Sequence, residues 1–148
     1  MQDLPHQYIV TADAQTAGNV NLSSSGAPDL PSAPPAEFGG PGDQWSPESL
    51  LVAAVADCFI LSFRAIAKAS RFEWDSLSCE VEGTLDRVES IRATQFTDFD
   101  VAATLSIPAG SDPDRARKML EKAEHVCLIT NSLKAESHLE IDIRVGAR

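Results

Sequence analysis

Residues 50–69, LLVAAVADCFILSFRAIAKA, constrain the fold of this 148-residue chain more than any other segment. Immediately upstream, Ser46-Pro47-Glu48 reads as a helix start: a hydroxyl cap, a proline where a missing N–H costs nothing, and an acid against the positive end of the dipole. The predicted helix covers 47–69. It is apolar on nearly every face through Leu61 and amphipathic only beyond, the pattern of a centrally enclosed helix. A chain of this length makes one domain. Such a domain has too little material to cover one helix all round, so the pattern requires a partner subunit. The apolar block 50–61 is interrupted by Asp57 and followed by Ser62 and Arg64, which makes it too short and too polar to span a bilayer.

Around that helix the pattern is α+β in one domain, residues 1–148. Residues 1–25 read as a hairpin, with Tyr8, Val10, Val20 and Leu22 as apolar members and Gly18-Asn19 as the turn. Residues 26–46 form a Gly/Pro-rich loop: ten of the chain's 17 glycines and prolines fall within 26–47, a density that leaves no regular element. It is either a linker or a long ordered loop beside a site. From 74 to 148 come two strands, a second helix and a final strand. Leu77, Cys79, Val81 and Leu85 share one face, and Phe99, Val101, Ala103, Leu105 and Ile107 repeat the period of two. Ser111-Asp112-Pro113 opens a helix to about His125 with Met119, Leu120 and Ala123 inward. Leu139, Ile141, Ile143 and Val145 close the chain as a strand. The strands are expected to pair in antiparallel style.

Charge narrows the function. The formal net charge is −10, the wrong sign for neutralising phosphates or anionic lipid, so nucleic acid and membrane surfaces are excluded as partners. The distribution matters as well: residues 1–63 hold seven acids and no Lys or Arg, and all 12 bases lie from Arg64 onward. Three cysteines and an N-terminus without a basic-then-apolar leader fit a reducing, cytoplasmic compartment. No nucleotide, phosphate-loop or serine-hydrolase motif occurs, and no Cys or His spacing makes a closed zinc site, so no cofactor or metal is expected.

The thiols remain as candidate chemistry. Cys79 alternates with Leu77 and Val81 and reads as core. Cys58, mid-helix beside Asp57 and Phe59, is either a small buried hydrophobe or a reactive thiol. Cys127, in HVCLITNSL past a helix end, is expected to be more exposed and more reactive, or else filler.

The segment GGPGDQWSPESLLVAAVADCFILSF, with its glycine-rich loop, Pro-Glu helix start and a cysteine ten residues after the glutamate, resembles the first cysteine motif of the OsmC/Ohr family. AEHVCLITNSL resembles the family's second cysteine motif, and it falls in the family's place, after the second long helix and before the last strand. The resemblance spans nearly the whole chain. It implies an intertwined α+β homodimer, antiparallel sheets packed around a long central helix from each subunit, with a site at each subunit interface. It also implies a thiol-dependent peroxidase in which Cys58 attacks a hydroperoxide and becomes a sulfenic acid. Cys127 then condenses with it to a disulfide that a dithiol reductant opens. Glu48 matches the glutamate that helps organise the site. On one helix Glu48 and Cys58 stand about 15 Å apart along the axis, so either the helix breaks near its start or Glu48 serves the other subunit's cysteine; the second reading is preferred. The family's organic-hydroperoxide branch activates the first cysteine with an arginine from the N-terminal hairpin region, which this chain lacks. Arg64, six residues after Cys58, lies about 240° round the helix and is a poor substitute. Two further readings stand beside the peroxidase: a binding protein on the same scaffold holding a small apolar ligand at the interface, and a structural or metal-binding role for the thiols.

Overall fold

Helix α1 begins where its capping residues place it and runs unbroken over Pro47–Ala69. The Ser46 hydroxyl accepts from the Ser49 N–H at 3.1 Å, and the Ser49 hydroxyl accepts from the Ser46 N–H at 2.9 Å, a reciprocal cap built from two serines. The helix ends in a left-handed turn at Arg71 (φ 50°), where the Phe72 N–H reaches the Ala67 carbonyl at 2.9 Å. The computed structural model describes residues 2–148, which fall into two compact units, one up to residue 50 and one from residue 51.

In the first unit, β1 (Thr11–Asp13), β2 (Val20–Ser23) and β3 (Leu30–Ser32) form an antiparallel sheet in chain order. The expected hairpin is present but short. Tyr8 and Val10 precede it and are exposed rather than apolar members of it. The 26–46 segment is also more ordered than its composition suggested: it contains β3 and a 3-10 turn at Ala36–Phe38. Proline at 31 is tolerated because β3 is an edge strand. Gly40 is required sterically, since a Cβ there would collide with the Pro34 carbonyl oxygen.

In the second unit, β4 (Ser76–Val88), β5 (Ala93–Ile107) and β6 (Glu136–Val145) make a sheet in that order, with α2 (Pro113–His125) between β5 and β6. β4 and β5 pair antiparallel, but β6 runs parallel to β5. The expectation of antiparallel pairing throughout is therefore corrected, because the helical crossover through α2 returns the chain to the end where β5 began. The Asp112 carboxylate caps α2 by accepting from the Asp114 and Arg115 N–H groups, and α2 buries Ala116, Met119, Leu120 and Ala123.

The core joins these helical faces to Phe99, Val101, Ala103, Leu105 and Ile107 of β5. From α1 it takes Val55, Phe59, Phe63 and Ala67, one stripe at intervals of four. Complete burial of each Phe contributes roughly 1.5–3 kcal/mol. The rest of α1 is not enclosed within the chain, and Leu61 is half exposed. By length and a mean hydropathy of 2.1, α1 also reaches the range of a membrane span, which corrects the judgement made on residues 50–61 alone. Its stripe is nevertheless packed in the core with the sheet, as in a core helix.

Leu85 departs from its expected place: the β4–β5 register shifts between Thr84 and Leu85, and Leu85 is exposed. Just before that shift, Gly83 lets α1 approach the sheet. A Cβ there would meet Val52 Cγ2 at 2.8 Å and Phe96 Cε1 at 2.9 Å. Gly83→Ala is accordingly expected to cost about 1–3 kcal/mol by overpacking, read as a lower midpoint in urea with an unchanged slope.

Candidate functional site

The loop after α2 is fixed by its own polar groups. The Cys127 N–H continues the last helical turn by donating to the Glu124 carbonyl at 3.2 Å. The Cys127 carbonyl then accepts from the Asn131 N–H at 3.0 Å and the Thr130 hydroxyl at 3.2 Å. Asn131 Nδ2 donates to the His125 carbonyl at 3.1 Å, and the Ser132 hydroxyl to the Leu128 carbonyl at 2.7 Å. Cys127 is thereby tucked under the loop at 1% exposure. The expected exposed loop thiol is in fact buried, because its own N–H still belongs to the helix end.

This loop meets Cys58. The Cys58 sulfur is half-buried on α1, with the Ser62 hydroxyl one turn further on at 4.0 Å. Burial pushes its thiol up, but hydrogen bonds outweigh that: the Ile129 N–H, the Cys127 thiol, the Ser62 hydroxyl and the Leu128 N–H all support the thiolate. The balance holds Cys58 below the ordinary thiol value. No Lys, Arg or His among the described residues contributes to it. Arg64 is exposed. The Cys127 thiol, 69 residues away in sequence, is thus among the groups that bear on Cys58, which no spacing argument could establish.

Cys79 lies apart from this pair. Its thiol donates to the Ala56 carbonyl at 3.7 Å, and burial alone pushes it up. It is a packing cysteine on the core face of β4. All three cysteines are free.

Glu48 belongs to the first unit. There it lines an apolar cavity of about 230 Å³ together with Val20, Ala33, Pro34, Pro35 and Phe38. Its Oε2 is buried and has no hydrogen-bond partner. Because α1 does not break, Glu48 and Cys58 are ten residues apart on one helix, about 15 Å along its axis. Of the aromatics near the helix start, Trp45 is about half exposed, whereas Phe59 is core.

Among the described residues, one group of three side chains has its metal-capable atoms within 4.8 Å of one another: Asp98, Glu136 and His138. These lie on the wet face of β5 and β6, and neither Cys58 nor Cys127 is among them. The groups that sequence reasoning missed are Ser62 and the Leu128 and Ile129 N–H groups. Ser62 could have been found at i+4 from Cys58; main-chain donors leave no residue-type signal.

A helix-borne thiol and a loop that carries a second thiol thus share one region of an α+β scaffold. Residues 40–142 match the family model described as OsmC-like protein, and the chain belongs to that family. It is 30% identical over 136 residues to the organic hydroperoxide resistance protein of Xanthomonas axonopodis pv. citri, covering 88% of this chain and 91% of that one. It is 28% identical over 115 residues to the uncharacterized protein YmaD of Bacillus subtilis, covering 76% and 77%. In fold it is similar to an OsmC-like protein of unknown function from Vibrio cholerae, with TM-score 0.81 and 21% identity over 95% of this chain and 100% of that one.

Proposed function

We propose that this protein is a cytoplasmic thiol-dependent peroxidase acting on organic hydroperoxides, with Cys58 as the attacking thiolate and Cys127 as the resolving thiol. The observation that carries this reading is the Cys58 thiol, held below its ordinary value by surrounding groups that include the Cys127 thiol. The thiolate attacks the distal peroxide oxygen. An S–O bond forms, the O–O bond breaks, and the alkoxide leaves and takes a proton to become the alcohol. Cys127, as thiolate, then attacks the sulfenic sulfur, the S–S bond forms, and hydroxide leaves as water after protonation. An external dithiol returns both cysteines to thiols and is itself oxidised to a disulfide. The Xanthomonas relative named for organic hydroperoxide resistance supports the substrate class. Burial of Cys127 suits its part, since a sheltered second thiol meets the sulfenic acid and little else.

The working unit is a homodimer. Support comes from α1, whose apolar surface outside the stripe Val55, Phe59, Phe63 and Ala67 is not enclosed by its own chain. In that dimer Glu48 serves the Cys58 of the partner, since an unbroken helix separates it from its own. A second reading, a binding protein holding a small apolar ligand, is favoured by the apolar cavity beside Glu48 and by the absence of any basic residue before Arg64.

The reduced protein is expected to consume tert-butyl hydroperoxide within seconds to minutes while losing two free thiols per subunit, measured by peroxide and thiol assays. Persistent peroxide with both thiols intact would leave the binding reading instead.

A further inference from the structure

The geometry points to a binding site for a divalent transition-metal ion of the class of Zn²⁺, formed by Asp98, Glu136 and His138 on the outer face of the β4–β5–β6 sheet. Neither Cys58 nor Cys127 belongs to it.

The sheet register builds the triad. β5 and β6 pair in parallel, with Asp98 opposite Glu136 and Asp100 opposite His138. Glu136 and His138 are two residues apart on β6, so their side chains leave the sheet on the same face as that of Asp98. The alternate positions Phe99, Val101 and Leu139 turn to the core on the other face. The donor atoms of the three side chains all lie within 4.8 Å of one another, and His138 Nε2 stands 3.5 Å from Asp98 Oδ1. A tetrahedral Zn²⁺ with ligands at about 2.0–2.2 Å sets neighbouring donors roughly 3.4 Å apart. The imidazole nitrogen and this carboxylate oxygen already have that spacing. Glu136 is exposed, so rotation about its own side-chain bonds closes the remaining gap.

Charge supplies the reason for an ion. Like charges directly opposite across two strands are destabilising, and Asp98 and Glu136 are such a pair. Guarding an edge strand with charge would account for Glu136 on β6, but Asp98 sits on the central strand β5. Among the described residues, neither carboxylate forms an ion pair with a Lys or Arg. The neighbouring outer positions add no cation: Thr84 is opposite Asp98 on β4, Asp100 is opposite His138, and Glu140 follows His138 two residues on. A divalent cation neutralises what a single imidazolium cannot. The donor set selects its class, since one imidazole with two carboxylates suits Zn²⁺ and similar borderline cations, whereas Mg²⁺ and Ca²⁺ take oxygen ligands and more of them. Three protein ligands leave a fourth position to water. An ion here clips β6, which β5 alone holds in the sheet, at its first residue, where the loop carrying Cys127 enters the strand.

Thiols bind zinc as well, so the titration uses the Cys58→Ser/Cys127→Ser protein. Calorimetry with ZnCl₂ is expected to show saturable uptake of one ion per subunit. In that background His138→Gln and Glu136→Gln each remove one ligand, and affinity should fall at least about ten-fold. The side chains of Asp98 and His138 are 42% and 53% exposed, and Glu136 is exposed, so the fold should tolerate both changes. No saturable uptake up to about 1 mM Zn²⁺, or an unchanged affinity in His138→Gln, would overturn the site. Displacement of the zinc by an equal concentration of Mg²⁺ would overturn its class.

If loss of both cysteines unfolds the chain by circular dichroism, the unmodified protein decides the matter. Its three histidines, His6, His125 and His138, give separate ring signals by NMR. The His138 signals should move and saturate as zinc is added, and Glu136→Gln should shift that curve at least about ten-fold to higher zinc. His138 signals that stay in place would overturn the site. Neither measurement involves a peroxide, so these outcomes stand whether or not the protein turns over hydroperoxides.

Discussion

Cys58→Ser abolishes peroxide consumption, with an expected loss of at least about a thousand-fold, measured as tert-butyl hydroperoxide removal in the presence of excess dithiol. A serine hydroxyl at this position is of similar size and keeps the Ser62 contact, but it does not ionise near neutral pH and cannot form the S–O bond. The donors that favour the sulfur's anion would then face a neutral hydroxyl. Structure should survive the change, because Cys58 is only half-buried and lies outside the core stripe. Thermal unfolding should therefore move by only a few degrees. Cys127→Ser separates the two steps: it should consume about one peroxide per subunit, then stall as a sulfenic acid that a dimedone probe labels. Cys79→Ser is the matched control. Its thiol is pushed up by burial and bonded to the Ala56 carbonyl, so turnover should stay within about two-fold. Full activity in Cys58→Ser would remove the peroxidase reading altogether.

Local rules made much of the fold legible. Both helix starts follow from a small polar residue followed by proline, and the structure places α1 at Pro47–Ala69 and α2 at Pro113–His125. The alternation in β5 and β6 likewise predicts which residues face the core. What stayed hidden depends on relations between distant segments. The parallel direction of β6 follows from a crossover, which strand periodicity does not encode. The strand at Leu30–Ser32 survives in a Gly/Pro-rich stretch because β2 pairs with it. Leu85 is exposed because a register shift lies just before it.

The site divides in the same way. Cys58, Cys127 and Glu48 could be named from motif likeness, yet their surroundings could not. Cys127 looks like a loop residue in sequence and is buried, since the hydrogen bonding of α2 extends two residues past His125. Ile129 and Leu128 look like ordinary apolar residues, and what bears on Cys58 is their main-chain N–H. The missing early cation was visible as simple counting, whereas the groups that bear on Cys58 required coordinates.

Mixing two inactive variants should restore activity if Glu48 serves the partner's Cys58. Glu48→Gln keeps the shape of the side chain but removes its charge, and as a homodimer it should lose turnover at least about ten-fold. Cys58→Ser is inactive for the reason given above. In a heterodimer of the two, one site combines the intact Cys58 of the first subunit with the intact Glu48 of the second, and the other site has neither. Random exchange gives half heterodimers, so recovered activity should approach about one quarter of the unmodified protein's. If Glu48 acted on its own subunit's cysteine, every site in the mixture would carry one defect and nothing would be recovered. The helix arithmetic favours recovery, since ten residues of unbroken α1 keep a carboxylate from its own Cys58 by about 15 Å. The buried Glu48 Oε2, without a partner in the single chain, gives that carboxylate a physical reason to seek one elsewhere. Exchange is to be verified by differently tagged subunits co-purifying after mild denaturation and refolding. Verified heterodimers without activity would assign Glu48 to its own chain. A Glu48→Gln homodimer with full turnover would take the residue out of the site.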